Sequence, residues 1–264
     1  MNYTEPKVIY TCFPGGKHKV LTMSYDDGRL EDRRLVELFN RYGIRGTFNL
    51  NGGLPRPERI PESEWVELYK GHEVACHTYT TPPSPAARWT RPPGRCWPTV
   101  LQLEGVMGYP VRALPTQRSW TPEIAALLPA LGIRYARVVG DTHDFAMPHD
   151  FMTWKATCHH THNLLEDGKR FVELYKTQYL YMMYVWGHSF EFRTEEDWGL
   201  MEQFCQLAGG REDTWYATNI EIVDYMPMPP ACSTPPRAIS LQPQRQSIWV
   251  EADGLSMRFQ PERL

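Results

Sequence analysis

No stretch of the 264-residue sequence is apolar over the roughly 20 positions that a membrane-spanning helix needs. The segment Met1 to Gly16 also lacks the basic start and apolar centre of a secretory signal peptide. Membrane insertion and export are therefore not expected. We expect a cytoplasmic protein without a membrane partner.

Paired cysteines are also missing. The six cysteines lie far apart, and no two of them form the C-x-x-C motif of many zinc and redox sites. This spacing argues against a disulfide framework and against a structural zinc site. The expected state of these side chains is a buried free thiol: Cys12, Cys76, Cys96, Cys158, Cys205 and Cys232.

An excess of basic residues is missing as well. The chain carries 28 lysines and arginines against 31 aspartates and glutamates, which gives a formal net charge of −3. The basic residues are scattered rather than clustered, so the sequence lacks the electrostatic footprint of a nucleic-acid-binding protein. Nucleic acid is not an expected partner.

What the sequence does contain is enough apolar material, 42% of its residues, for one substantial core. Strand-like and helix-like segments alternate along its first third. The predicted strands there are 19–25, 46–51 and 73–77, and the predicted helices are 30–42 and 61–69. This alternation is typical of an α/β fold with a parallel sheet, in which chemistry gathers at the carboxyl ends of the strands.

The middle of the chain is less regular. Six prolines between positions 82 and 98 predict a long loop, of the kind that often forms a functional rim. Beyond it, the predicted helices are 122–131 with Gly132 as cap, 163–178 and 195–208, and the predicted strands are 134–139 and 179–186. A short strand and helix over 215–225 complete the predicted core.

Prolines dominate the sequence after Met226 and predict a linker, whereas residues 247–259 predict a β-hairpin around the turn Asp253-Gly254. An isolated hairpin is barely stable in water, so this one is expected to pack on the rest of the protein or to pair with another strand. We therefore divide the chain into an N-terminal extension (1–17), a main domain (18–226) and a linker with a C-terminal hairpin (227–264).

Polar groups directly follow three of the predicted strands. Asp26 and Asp27 end the first strand, His77 ends the third, and His188 follows the apolar strand 179–186. Paired carboxylates at a strand end suggest a metal ligand beside a general base. Because Asp-Asp-Gly is by itself an ordinary turn, the two histidines are what favour a catalytic site.

In this order the strand ends resemble the polysaccharide deacetylases, the NodB-homology or carbohydrate esterase family 4 enzymes. The matching segments are TMSYDDG (22–28), GTF (46–48), GHEVACHT (71–78) and VWGHS (185–189). The match spans residues 18 to 225. It implies a distorted (β/α)₇ barrel that hydrolyses an N-acetyl or O-acetyl group or another C–N amide bond.

The resemblance implies a role for each residue. Asp26 would be the general base, His188 the general acid, and Asp27 and His77 ligands of a divalent metal such as Zn, Co or Ni. The family's next ligand is a histidine four residues after His77, where this chain has Thr81. Because a threonine hydroxyl is a poor ligand for zinc or cobalt, we expect a weakened metal site or a metal-free one.

Other histidines could complete the site, and the sequence does not choose among them. His72 lies five residues before His77, and that odd interval places the two on opposite faces of a strand. For the pair His159 and His160, the alternative to a site role is an exposed strand end or a cap. The remaining candidates are His143, His149 and His162.

Substrate-contacting positions follow from the same resemblance. Trp154 lies where the family carries an apolar wall, and Tyr25 and Trp186 lie within the first and last motifs. The family's oxyanion-binding arginine and tyrosine have no clear match. Gln117, or its neighbour Thr116, could offer a backbone N–H to the oxyanion, and Arg118 could supply a cation.

Three functions stay compatible with the sequence. The first is a deacetylase-like hydrolase with an Asp base and a His acid. The second is a metal-independent amidohydrolase of the allantoinase or cyclic-imidase type on the same fold, which the lost histidine favours. The third is a non-catalytic, carbohydrate-binding pseudoenzyme. In each case the partner is a small molecule or an oligosaccharide.

Overall fold

The protein was analysed as a computed structural model, which describes residues 9–53, 55–77, 92–115, 126–226, 248–252 and 255–259. In chain order the strands are β1 (Ile9–Cys12), β2 (Lys19–Asp26), β3 (Gly46–Leu50), β4 (Glu73–Cys76), β5 (Ala113–Pro115), β6 (Tyr135–Asp141), β7 (Trp154–Ala156), β8 (Cys158–His159), β9 (Tyr181–His188), β10 (Thr214–Tyr216), β11 (Ile248–Ala252) and β12 (Leu255–Phe259). The α-helices are α1 (Asp32–Arg41), α2 (Trp65–Leu68), α3 (Pro92–Met107), α4 (Leu164–Val172), α5 (Glu195–Ala208) and α6 (Asn219–Tyr225).

Two parallel sheets form the centre of the fold. In the larger sheet the strands lie in the order β4-β3-β2-β9-β8, and β10 also pairs with β2. The smaller sheet has the order β5-β6-β7. Because β4 contacts β5 and β7 contacts β9, the two sheets curve together into a barrel. The predicted α/β architecture with a parallel sheet is confirmed.

Alternation along the central strands divides the core into two parts. Successive side chains of a strand point to opposite faces. Met23 and Tyr25 of β2 pack with the apolar side chains of the covering helices, whereas Val20 of β2 packs with Tyr184 of β9 in a second cluster. Each buried apolar side chain of this size contributes about 1.5–3 kcal/mol. Asp26 shares the Val20 face, so the fold aims it into the barrel mouth.

The helices next to the central strands follow the predicted pattern. The predicted helix 30–42 is observed as α1, which buries Leu35, Leu38 and Phe39 on one face. Helix α5 has the predicted bounds, 195–208, and it begins with a capping box in which Thr194 accepts the N–H of Asp197. These two helices cover the sheet beside the strand ends that carry Asp26 and His188.

Two predicted segments are wrong. Helix α3 covers residues 92–107, so the loop predicted for 82–98 is wrong for residues 92–98. Pro92 and Pro93 fit the first turn, where the missing N–H groups would have no helical partner. The helix predicted for 163–178 ends at Val172, because Tyr175 is 82% exposed and offers no burial that would extend it.

The segment predicted as helix 122–131 is described only in part. Residues 116–125 lie outside the described residues, and residues 128–131 form a 3-10 turn. Gly132 closes that turn with φ 83°, a left-handed conformation that favours glycine. The predicted Gly132 cap is confirmed.

The C-terminal hairpin is confirmed and has a partner strand. Strands β11 and β12 pair antiparallel, and β11 also pairs antiparallel with β1 from the predicted N-terminal extension. The Tyr225 hydroxyl donates to the Cys12 carbonyl and accepts the Trp249 N–H at 3.2 Å. The turn Asp253-Gly254 and the linker lie outside the described residues. The boundaries at 17 and 226 stay predictions.

Two further observations on the described residues concern the cysteines and the helices. Cys158 and Cys205 are buried free thiols, and Cys12 and Cys76 are buried. Among the helices that are described, none combines the length and apolar character that a bilayer crossing requires.

Candidate active site

Three strand ends of the barrel bring charged side chains together. Asp26 ends β2 and His188 ends β9, and the parallel pairing of these strands sets the two residues side by side. His77 follows β4. The Nε2 atoms of His188 and His77 lie 3.9 and 3.8 Å from the same oxygen, Asp26 Oδ2. The structure thus joins three residues that were predicted to share one site.

The turn after β2 aims Asp27 into the same space. Asp27 and Gly28 have φ values of 80° and 61°, and this left-handed conformation costs a non-glycine residue about 1–3 kcal/mol. The Asp27 N–H donates to the Asn49 carbonyl at 2.9 Å, and the Asn51 side-chain amide donates to Asp27 Oδ1. Asp27 Oδ1 consequently lies 3.5 Å from His77 Nε2.

Two side chains that sequence reasoning missed hold Asp26. Asn49 donates to Oδ1 at 2.8 Å, and Arg137 donates to Oδ2 at 2.5 Å. Arg137 lies on β6, is only 6% exposed, and places its guanidinium 4.5 Å from the ring centre of Trp186. The available signal was a charged residue inside the predicted strand 134–139, between Ala136 and Val138.

Glu191 orients His188. It lies in the 3-10 turn after β9, where its Oε2 accepts the His188 backbone N–H at 3.0 Å and lies 3.3 Å from Nδ1. With Nδ1 engaged, Nε2 is the ring nitrogen that faces Asp26. The side chains of His188 and Glu191 are 23% and 27% exposed, so solvent reaches this edge while Asp26 is buried.

The charges of the site favour opposite protonation states. Burial raises the pKa of Asp26, but the Arg137 guanidinium, with His77 and His188, outweighs burial and holds that pKa below its usual value. Burial lowers the pKa of His188, but the hydrogen bond to Glu191 and the charge of Asp26 raise it overall. An ionised Asp26 therefore lies beside the His188 imidazole, whose raised pKa favours the protonated form.

Two further histidines reach Glu191. His159 ends β8, and His160 follows it. Their Nε2 atoms lie 3.1 and 3.4 Å from Glu191 Oε2. Both side chains are buried, so the interpretation of this pair as an exposed strand end is wrong, whereas His159 does accept the Thr161 backbone N–H at 3.3 Å, as a cap would. Burial follows from the parallel pairing of β8 with β9, which draws the two residues under the barrel rim.

The other histidines have separate partners. His72 accepts the Gly46 N–H at 3.1 Å, and burial lowers the pKa of its imidazole to about 4. It lies at the start of β4, away from His77, as the odd interval predicts. The remaining three are distributed as follows: His143 contacts Asp167, His162 contacts Asp141, and His149 is exposed.

Two of the three aromatic residues that were predicted to contact the substrate are buried and cannot reach it. The third is partly exposed near the site. Tyr25 is fully buried because it adjoins Asp26 on β2 and therefore faces the helices. Trp154 is fully buried in the barrel core, 4.7 Å from Tyr184 between ring centres. Trp186 is partly exposed, and its indole N–H donates to Asp141 at 3.0 Å.

Three other predicted site residues, Thr81, Gln117 and Arg118, lie outside the described residues. The third metal ligand and the oxyanion donor therefore stay predictions. Among the described arginines and lysines, Arg137 is the one that contacts the candidate base.

The donors of Asp27 and His77 suit one divalent cation. Their oxygen and nitrogen are 3.5 Å apart, close to the separation of about 3.3 Å that two tetrahedral zinc ligands have at 2.0–2.1 Å from the ion. Two donors are fewer than the three or four protein ligands of most zinc sites. The described residues thus fit a metal at this position through two protein ligands.

The barrel is similar to solved structures, although no family model and no curated protein matches the sequence. A putative polysaccharide deacetylase from Mycobacterium smegmatis has 14% identity and a TM-score of 0.56, with 89% of this chain and 100% of that chain covered.

Two further structures match at comparable levels. A probable polysaccharide deacetylase from Pseudomonas aeruginosa PAO1 has 14% identity and a TM-score of 0.56. Puue allantoinase has 11% identity and a TM-score of 0.58. For each of these two, the alignment covers 80% of this chain and 91% of the other. The chain therefore has the polysaccharide deacetylase fold, and the predicted distorted (β/α)₇ barrel is confirmed.

Proposed function

We propose that the protein is a hydrolase that cleaves an amide C–N bond, with an N-acetylated carbohydrate as the favoured class of substrate. The observation that supports this most is the pairing of Asp26 and His188 on adjacent strand ends, with 3.9 Å between Oδ2 and Nε2. A carboxylate base and an imidazole acid at this spacing can serve the two proton transfers that amide hydrolysis requires.

In the proposed reaction, Asp26 Oδ2 takes a proton from a water molecule as its oxygen bonds to the acyl carbon. The C–N bond then breaks, and His188 Nε2 gives its proton to the departing nitrogen. The products are a carboxylic acid and an amine. Arg137 and Asn49 hold the Asp26 carboxylate in position, and Glu191 holds the imidazole through Nδ1.

A divalent cation held by Asp27 and His77 would polarise the acyl oxygen and acidify the attacking water. The side chains themselves supply a weakly screened base and a surface for the substrate. Asp26 is 2% exposed, so its charge acts in surroundings where water screens it weakly. The partly exposed indole of Trp186 offers a face on which a sugar ring could stack.

A second candidate function is a metal-independent amidohydrolase that acts on a small cyclic amide. Two observations favour it: the chain has Thr81 where the deacetylase motif has a histidine, and Puue allantoinase shares the fold. Asp26 and His188 keep the same roles in this function, since neither proton transfer depends on a third metal ligand.

The test is a substrate panel assayed with metal-loaded and with chelator-treated protein. Acetate release is measured from N-acetylated chito-oligosaccharides, and ring opening is measured on small cyclic ureides and imides. We expect turnover of the oligosaccharides that the chelator lowers at least tenfold and that added zinc or cobalt restores. His149→Gln changes an exposed histidine outside the site and is the control, so it should keep the wild-type turnover.

The other outcomes separate the alternatives. Turnover of a cyclic amide that the chelator leaves unchanged would support the metal-independent amidohydrolase instead. No turnover of either class by metal-loaded protein would contradict a hydrolase and favour a carbohydrate-binding pseudoenzyme.

A further inference from the structure

Glu191 is the centre of a second group of potential metal ligands, on the far side of His188 from Asp26. Its Oε2 lies 3.1 Å from His159 Nε2 and 3.4 Å from His160 Nε2. The three ligand atoms all lie within 4.8 Å of one another. Neither Asp27 nor His77 belongs to this group.

The spacing of these atoms matches a tetrahedral metal site. Zinc binds imidazole nitrogen and carboxylate oxygen at about 2.0–2.1 Å, so two ligands of one tetrahedral ion are separated by about 3.3–3.4 Å. The two distances to Glu191, 3.1 and 3.4 Å, bracket this value. The third pair of atoms, the ligand nitrogens of His159 and His160, lies within 4.8 Å, so an ion beside Glu191 would lie within reach of both imidazoles.

His160 is the observation that distinguishes this group from an ordinary cluster of ion pairs. Its side chain is 3% exposed, and neither ring nitrogen has a hydrogen-bond partner among the described residues. A buried polar atom without a partner is costly. Nε2 is the atom nearest to Glu191, so a cation there would satisfy it.

The protein holds the His160 ring in this orientation on three sides. The ring stacks on Tyr25 at 5.6 Å and on Phe192 at 4.5 Å between centres. The third side is Gly187, where a Cβ would lie 1.9 Å from His160 Nδ1. The missing side chain at position 187 thus creates the space that the imidazole occupies.

His159 has the supporting contact that histidine ligands usually make. Its Nδ1 lies 2.7 Å from the Thr161 hydroxyl and accepts the Thr161 backbone N–H at 3.3 Å. An ion bound at Nε2 would displace the ring proton to Nδ1, where the Thr161 hydroxyl can accept it. Outer contacts of this kind fix the tautomer of a histidine ligand and raise its affinity for the metal.

We propose that His159, His160 and Glu191 bind one divalent transition-metal ion, with zinc as the best match. Two imidazoles and one carboxylate form a known catalytic zinc ligand set that leaves a fourth position open. Magnesium and calcium prefer all-oxygen ligand sets, so they fit poorly. Glu191 is 27% exposed, which gives the ion a route from solvent.

The test uses the full chain, stripped with chelator and titrated with Co²⁺. The ligand-field absorption of tetrahedral Co²⁺ reports binding, and competition with Zn²⁺ gives the zinc affinity. Loss of an outer contact typically costs 10–100-fold in metal affinity, so loss of a ligand should cost about 100-fold or more. We expect that loss for His159→Gln and for Glu191→Gln, and about tenfold for Thr161→Val.

Two matched variants separate this site from the Asp27–His77 pair. His77→Gln removes a ligand of the other pair and should keep the tetrahedral Co²⁺ signal with one ion bound. His149→Gln removes an exposed histidine and should keep the wild-type signal and the wild-type number of bound ions. Absence of the signal in the wild-type protein would overturn the proposal. So would a signal that His77→Gln abolishes and Glu191→Gln preserves. Circular dichroism confirms that each variant is folded, and Thr161→Val, at an exposed position, provides the test if a ligand variant unfolds.

Discussion

Asp26 is a buried carboxylate whose charge is balanced mainly by one guanidinium. Arg137 reaches it from β6, and the side-chain exposures of the pair are 3% and 7%. Taking both charges out of water is costly, so removal of one partner leaves the other with an uncompensated penalty. The pair therefore ties the geometry of the candidate base to the stability of the fold.

Arg137→Met is expected to lower the free energy of unfolding by about 3–5 kcal/mol, because Asp26 is left charged and buried. The variant Asp26→Asn/Arg137→Met should be more stable than the sum of the two single changes implies, since neither charge remains. Urea denaturation of the four proteins measures the coupling.

Arg112→Met is the matched control for that experiment. Arg112 pairs with Asp224 at 3.3 Å at the surface, where its side chain is 41% exposed. Removal of an exposed pair of this kind should cost at most about 1 kcal/mol. Equal losses for the Arg112 and Arg137 variants would contradict the account of Asp26 as a buried, compensated charge.

At the scale of single residues, the sequence predicted four of the side chains that meet in the candidate site but not the side chains that hold them. Asp26, Asp27, His77 and His188 stand out because each ends a strand. Arg137 contacts Asp26 only because the barrel closes and brings β6 within reach of β2. Glu191 does not end a predicted strand, so its position in the sequence did not mark it. Tyr25 was misjudged for the opposite reason: it neighbours Asp26 in sequence, but the strand period turns it to the other face.

Strand pairing is what converts separate motifs into one site. Asp26 and His188 share a register because β2 and β9 run parallel over eight residue pairs, from Lys19 with Tyr181 onwards. The apolar run of β9 predicted that strand, since buried parallel strands read as continuous hydrophobic segments, whereas strand-forming residues predicted β2. The order of β9 beside β2 could not be predicted in this way, because pairing between distant strands leaves no local signal.

The strand β4 also carries a buried carboxylate that joins several elements. Glu73 accepts hydrogen bonds from Thr47 at 2.8 Å, from Tyr135 at 2.9 Å and from the Ile220 N–H at 2.9 Å. Burial nevertheless raises the pKa of Glu73 to about 7. The folded protein thus retains a proton that the unfolded chain loses near pH 4.5.

This difference predicts that the contribution of Glu73 to stability falls as pH rises from about 4.5 to about 7. Over that range Glu73 holds its proton in the native state and has lost it in the unfolded state, so its contribution to the free energy of unfolding decreases by about 3 kcal/mol. Glu73→Gln should flatten the decrease in urea denaturation measured at several pH values.

Glu67→Gln, which neutralises an exposed carboxylate on α2, is the control and should leave the pH dependence as it is in the wild type. If Glu73→Gln has the same slope as the wild type, the buried proton is not on Glu73. A stability of Glu73→Gln that falls more steeply with pH than that of the wild type would mean that the three hydrogen bonds outweigh burial.

For the whole molecule, composition and alternation predicted the architecture well. The strand and helix order along residues 19–77 predicted a parallel α/β fold, and the matched structures confirm the barrel. The proline-rich loop was too long by at least seven residues, 92–98, because prolines in a first helical turn are compatible with a helix. The substrate was not predictable, since it depends on loops rather than on the barrel.

The central claim is that Asp26 and His188 act together as base and acid on one amide substrate. The most direct measurement is kcat/KM of Asp26→Asn, of His188→Gln and of the double variant, on whichever substrate the panel identifies. Each single change should lower kcat/KM by about 10²–10⁴-fold. The double variant should lose little more, because groups that act as a unit are not additive. Wild-type kcat/KM in either folded single variant would contradict the claim.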